Sequence, residues 1–262
     1  EVIQNAHNAG VNFMVIPGTD IHSSQKAVEI AEQYEGIYAA VGIHPHHVFQ
    51  LLGKDSLIKF SSQNFIDSSF ITLLQHKKVV AIGEIGLDKH EYKDTKYQEY
   101  QINPEFISLQ EQLLKEQIKI ALEYNKSLIL HNWEAKTEML KLLSEIWDSQ
   151  LEGKTVFHCC EPDKDLLEFA KQHKIYIGVD GDITYSKAKQ EFVKQVPLEM
   201  LVLETDSPYL LPEPLRTQKK YPNEPKNIPV IADYISKILK VNYKEIKEVT
   251  TENAKNLFQI KN

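Results

Sequence analysis

The sequence is short of cysteine, of arginine and of long apolar runs. Its 262 residues include two cysteines, adjacent at Cys159 and Cys160. No disulfide framework can be built from them, and a reducing, cytoplasmic setting fits. No apolar run approaches the roughly 18 residues of a membrane span. The opening residues EVIQNAHNAG lack the basic-then-apolar pattern of a signal peptide. No G-x-G-x-x-G follows a strand-like run, which argues against a dinucleotide fold. Linkers rich in Pro, Gly or Ser, low-complexity tracts and short repeats are also missing, so residues 1–262 read as one domain. The 37 acidic residues outnumber the 30 basic ones, for a net charge of -7. That sign argues against wholesale electrostatic binding of nucleic acid, but not against an enzyme that meets phosphates through metal ions. One basic residue is an arginine, Arg216. Either the genome is lysine-rich, or a planar fork sits where one is needed.

Short β-branched runs alternate with helical patterns. The strand candidates are 11–18, 37–45, 78–87, 127–133, 155–160, 175–181 and 200–208. Helical stretches fall at 23–34, 105–125, 136–148 and 163–174, with two more in the tail, and 51–76 reads as a helix pair. Apolar strands alternating with helices imply a parallel sheet covered on both faces. Seven such units suggest a (β/α)8 barrel of TIM type rather than a doubly wound sheet.

In such a barrel, function sits at the C-terminal ends of the strands. There the sequence places His44, Glu84, His131, His158 and Asp206. Each alone reads as a hydrogen-bonded structural residue; five at equivalent positions point to a metal or acid/base site. Histidines with carboxylates suit Zn2+, Mn2+ or Mg2+, which polarise a phosphoryl or carbonyl oxygen and lower the pKa of bound water. Carboxylates at a barrel mouth without a cation would be costly. Glu204, two residues before Asp206, either supports the site or contacts a neighbouring strand. Cys160 shares the inward face of His158 and is read as a small buried hydrophobe, with a zinc thiolate as the alternative. His46 and His47 are either further ligands or solvated loop histidines, and the reading rests on His44 alone. The Tyr-rich segment 88–105 is either a solvated loop or a rim where tyrosines stack on single-stranded bases. Lys219, Lys220 and Tyr221 beside Arg216 suggest a basic lip.

These motifs resemble the TatD family of metal-dependent deoxyribonucleases. The likeness runs through GVNFMVIPGTD, VGIHPH, GEIGLD, the Phe106 and Gln110 spacing, LILH, FHC, ETDSPYLLPEP-x-R, NEP and ENAKNLF. The resemblance implies a (β/α)8 barrel of the amidohydrolase type that hydrolyses phosphodiesters with one or two divalent ions, Mg2+, Mn2+ or Zn2+. By motif, Glu84 bridges two metals, and His131 and His158 bind one of them with it. Asp206 binds the other and orients or deprotonates the attacking water. His44 and Arg216 contact the phosphate, and Asp88 supports the ligands from behind. The implied activity is a 3′-5′ deoxyribonuclease acting on single-stranded DNA or 3′ ends, with no membrane partner. An amide or ester metallohydrolase, of acyl-tRNA or lactone type, and an inactive homologue stand as alternatives.

The family carries a His-x-His pair at the end of its first strand, and none precedes residue 44 here. His7 lies in a helical stretch and His22 follows a different strand, so neither replaces it. With seven strand candidates and Glu1 in first position, the expectation is a barrel whose first strand is absent from this chain. The chain is then either a truncated enzyme or a degenerate homologue.

Overall fold

The structure, a computed structural model, describes residues 1–51, 66–97 and 100–260. The chain opens with helix α1 (Val2–Asn8) and strand β1 (Met14–Pro17). There follow α2 (Ile21–Gln33), β2 (Ile37–Val41), α3 (Ser68–Leu74), β3 (Val79–Asp88), α4 (Pro104–Glu123), β4 (Ser127–Trp133) and α5 (Lys136–Ile146). The remainder comprises β5 (Thr155–Phe157), α6 (Lys164–His173), β6 (Tyr176–Val179), α7 (Lys187–Val193), β7 (Leu201–Leu203), α8 (Ile228–Leu239) and α9 (Tyr243–Leu257). The described residues thus form an α/β chain with seven strands. Part of the helix pair read over 51–76 lies outside them; its described end holds α3. No helix among them is long and apolar enough to cross a membrane.

The chain divides into two compact units. One runs from Val15 to Leu151. Within it β2 pairs with β3 and β3 with β4, both parallel. Helix α4 shows why it packs. Asn103 caps it, its Oδ1 accepting from the Phe106 N–H at 2.8 Å, and Pro104 fits the first turn. Phe106, Gln110, Leu113, Leu114, Gln117, Ile118 and Ala121 are buried, a stripe at helical spacing. Two polar members of that stripe fix the strand ends. Gln117 accepts from the Ile43 N–H at 2.8 Å and donates to the Ile43 carbonyl at 3.2 Å. Gln110 does the same for Asp88, at 2.8 and 2.9 Å. They lie two helical turns apart on one face, so each closes the backbone next to a candidate site residue.

The other unit comprises Glu1–Met14 and Glu152–Asn262. Here β5 pairs with β6 and β6 with β7, again parallel. Helix α9 is tied to the start of β7 by Asn253, whose amide donates to the Leu198 and Leu201 carbonyls at 2.9 and 2.8 Å. Asn5 of α1 donates to Glu224 at 3.3 Å.

Candidate metal centre

The first acid–histidine cluster lies in the C-terminal halves of β3 and β4, with Asp88 ending β3. Gly86 lets the strands meet: at φ +156° it has no side chain, and a Cβ there would collide with the His131 carbonyl. His131 presents Nδ1 to Glu84 Oε1 at 2.8 Å and Nε2 to Asp88 Oδ2 at 3.1 Å. Burial alone would discharge the ring, but hydrogen bonds to Asp88 and Glu84 outweigh it and raise its pKa to about 9. His131 thus bridges two carboxylates. Burial also works to raise Asp88. His131, the Tyr92 hydroxyl at 2.7 Å and the His90 N–H at 2.8 Å overcome it, holding the carboxyl below its usual range.

His44 sits beside them, its ring centroid 4.3 Å from that of His131 and its Nε2 3.9 Å from Glu84 Oε1. Burial and the charge of His131 push its pKa down to about 3. Its Nδ1 accepts from the His46 N–H at 3.2 Å, so the neutral ring carries its proton on Nε2. That tautomer makes His44 a hydrogen-bond donor toward the cluster. Ligand atoms of His44, Asp88 and His131 lie within 4.8 Å of one another. Asp88, read as supporting the ligands from behind, thus belongs to the cluster itself, because β3 runs on to Asp88 and Gln110 pins it there.

The second cluster lies at the ends of β5 and β7. His158 Nδ1 stands 2.7 Å from Glu204 Oε2, and Nε2 is 3.6 Å from Asp206 Oδ1. Glu204 also accepts from the Cys159 N–H. Gly178 gives Glu204 its room, since a Cβ there would strike the carboxylate. Asp206 lies three residues past the end of β7, at φ 50°. His158, Cys159 and Glu204 form a second group whose ligand atoms lie within 4.8 Å. Cys159 rather than Cys160 faces the cluster, which corrects the reading from strand alternation. β5 ends at Phe157, and the chain turns through Cys159 at φ 44°. Burial pushes both thiols up, so neither is a ready thiolate.

In the same unit, the Arg216 guanidinium lies over the Tyr185 ring, 4.3 Å from its centroid, and 3.5 Å from Glu213 Oε1. Its side chain is half exposed. Sequence reasoning missed Tyr185 and the buried network behind it, where Lys189 Nζ meets Asp180 at 2.7 Å and Asp182 at 2.9 Å. Acidic and basic residues in the irregular run GDITYSKAK carry no periodic signal.

The solvated reading of His46 and His47 is also corrected. Both are half-buried: His46 Nε2 is 2.8 Å from Thr95 Oγ1, and His47 Nδ1 is 2.9 Å from the Tyr97 hydroxyl. Among the described residues of segment 88–105, Tyr92 and Tyr100 are not simply solvated, because they lie against the His46 ring at 4.8 and 4.7 Å. Lys219, Lys220 and Tyr221 are exposed.

The donor sets fit a divalent cation. Each joins imidazole to carboxylate, the mixture of donors that such ions take. Parallel strands whose ends carry such clusters define a metal-dependent hydrolase. The chain belongs to the TatD-related DNase family, whose profile matches residues 1–259. It is 33% identical over 263 residues to the metal-dependent hydrolase YabD of Bacillus subtilis, covering 99% of this chain and 92% of that protein. It is 32% identical over 264 residues to the 3′-5′ ssDNA/RNA exonuclease TatD of Escherichia coli K12, with the same coverage. The crystal structure of the TatD homologue YjjV from E. coli K12 superimposes with a TM-score of 0.78 at 27% identity, over 99% of this chain and 91% of that one. A TatD-family hydrolase from Entamoeba histolytica shares the fold, with a TM-score of 0.77 at 23% identity.

Proposed function

We propose that this protein is a divalent-metal-dependent phosphodiesterase that removes nucleotides from the 3′ ends of single-stranded DNA. The observation that carries the reading is the convergence of Glu84, Asp88 and His131 in the C-terminal halves of two adjacent strands, in a chain of the TatD-related DNase family. The polarity and strand preference follow the name of its E. coli relative. Glu84, His131, His158 and Asp206 would hold one or two ions of Mg2+, Mn2+ or Zn2+. Asp88 joins them from the first cluster and Glu204 fixes His158 in the second. When bound, the metal supplies charge neutralisation and an acidified water. By motif, Glu84 and Asp206 are the catalytic carboxylates, Asp206 being the one that would orient or deprotonate that water. His44, neutral and protonated on Nε2, donates a hydrogen bond to the phosphate, while Arg216 supplies a fixed positive charge.

Strand–helix alternation and family membership support a (β/α)8 barrel for residues 1–262 as one hydrolase domain. Two adjacent, unpaired cysteines support a cytoplasmic location.

The test is a substrate panel: single-stranded DNA, bis-p-nitrophenyl phosphate and simple carboxylic esters, each with Mg2+, Mn2+ or Zn2+ and with a chelator. Metal-dependent cleavage of the first two, from the 3′ end of the DNA, is the expected result. Cleavage of the esters alone would move the protein to the amide and ester hydrolases. No turnover of any substrate would make it an inactive homologue.

A further inference from the structure

We propose that Trp133 and His90 form a stacking platform for an unpaired nucleobase of the substrate, beside the His131 cluster. The inference rests on the phosphodiesterase reading above and adds a base subsite to it.

Trp133 is the last residue of β4 and is 39% exposed, unusual for the largest aromatic side chain. It follows His131 by two residues, so both side chains leave the same face of the strand, about 6.6 Å apart along it. Its register partner is Asp88. A nucleotide whose phosphate meets His131 therefore has its base within reach of the indole.

The indole is held flat. The His90 ring lies parallel to it, 4.1 Å between centroids and 9° between planes. Tyr92 closes the edge, 5.6 Å from Trp133 and 5.0 Å from His90. The Lys89 N–H donates to the Trp133 carbonyl at 2.9 Å, and His90 Nδ1 lies 2.9 Å from Glu134 Oε1. Tyr92 in turn donates to Asp88, so the platform and the candidate metal ligands share one set of hydrogen bonds.

Charge selects the ligand. Lys89 is paired with Glu138 at 2.7 Å and His90 with Glu134 at 2.9 Å, so these two basic side chains of the platform already have carboxylate partners. What it offers is a rigid π surface, which every nucleobase can use whatever its sequence. Double-stranded ends keep their bases stacked on one another; an unpaired base is free to move onto the indole.

The experiment compares Trp133→Ala, Trp133→Phe and His90→Ala with wild type on a single-stranded oligonucleotide and on bis-p-nitrophenyl phosphate, which carries no base. In parallel, Trp147→Phe leaves Trp133 as the one tryptophan, whose emission is followed while an oligothymidylate or an abasic oligonucleotide is added. The expected result is a KM for the oligonucleotide about tenfold higher or more in Trp133→Ala, restored in large part by Phe, with bis-p-nitrophenyl phosphate turnover within twofold of wild type. Trp133 emission is quenched by the oligothymidylate and not by the abasic chain. An unchanged KM overturns the platform, as does equal quenching by both chains or an equal loss on both substrates. If wild type cleaves neither substrate, the phosphodiesterase reading fails first and takes the platform with it.

Discussion

Glu204 aims His158. Its Oε2 takes Nδ1 at 2.7 Å, which leaves Nε2 turned toward Asp206, 3.6 Å away. A carboxylate behind an imidazole fixes the ring and makes its other nitrogen a better ligand. Glu204→Gln keeps the size but loses the charge. Metal affinity is expected to fall about 10–100-fold, read by competitive titration of Mn2+. An unchanged affinity would remove Glu204 and His158 from the metal site.

Glu84 has the corresponding place in the first cluster. It shares His131 with Asp88, and against burial, which works to lower it, their hydrogen bonds raise the ring's pKa to about 9. Glu84→Ala removes one of those partners, so the His131 pKa moves down, measurable by NMR titration with EDTA present. Hydrolysis of bis-p-nitrophenyl phosphate should fall at least about a thousandfold, the scale of losing several kcal/mol of charge stabilisation. Retained turnover would exclude Glu84 as a ligand.

The strands and the long helices were legible because burial imposes a pattern: β-branched runs for β2, β3 and β4, and an apolar stripe for α4. The polar residues His44, Glu84, His131, His158 and Asp206 stood out in the sequence because each follows closely on an apolar run. What escaped was set by tertiary contacts. Asp88 is carried into the cluster by Gln110, twenty-two residues away. The turn after Phe157 swaps the roles of Cys159 and Cys160, since alternation holds only while a strand lasts. Trp133 reads as one more apolar residue until its exposure is known.

Arg216 makes a positional prediction. The Tyr185 face at 4.3 Å and Glu213 at 3.5 Å hold the guanidinium of a side chain that is half exposed. Arg216→Ala should raise the oligonucleotide KM more than it lowers kcat. Arg216→Lys should recover little, because an ammonium neither stacks like a guanidinium nor offers its planar fork. Tyr185→Ala should show a weaker version of the same split. A loss confined to kcat would instead put Arg216 in the chemical step.

Lys189 is buried between Asp180 and Asp182, and its charge decides their cost. Burial works against the ammonium, but the two carboxylates outweigh it and raise the Lys189 pKa. Burial also works to raise Asp180, and Lys189 overcomes it, holding that carboxyl below its usual value; Asp182, buried beside Asp180, is pushed up to about 7. A depressed Asp180 stabilises the fold above its unfolded value of 3.8, and that contribution is lost as pH falls through the folded value. A raised Lys189 stabilises below 10.5, and its contribution is lost as pH rises through the folded value. Lys189→Met leaves two buried carboxylates without a cation and should cost about 3–5 kcal/mol at pH 7. In the variant both carboxyls titrate above 3.8, so they become neutral on acidification and the penalty fades. Urea unfolding of wild type and variant at pH 7 and pH 5 should therefore show the stability gap narrowing at the lower pH. A gap that stays constant would mean that the carboxylates relax into solvent when the lysine is removed, and that the network does not hold them in place.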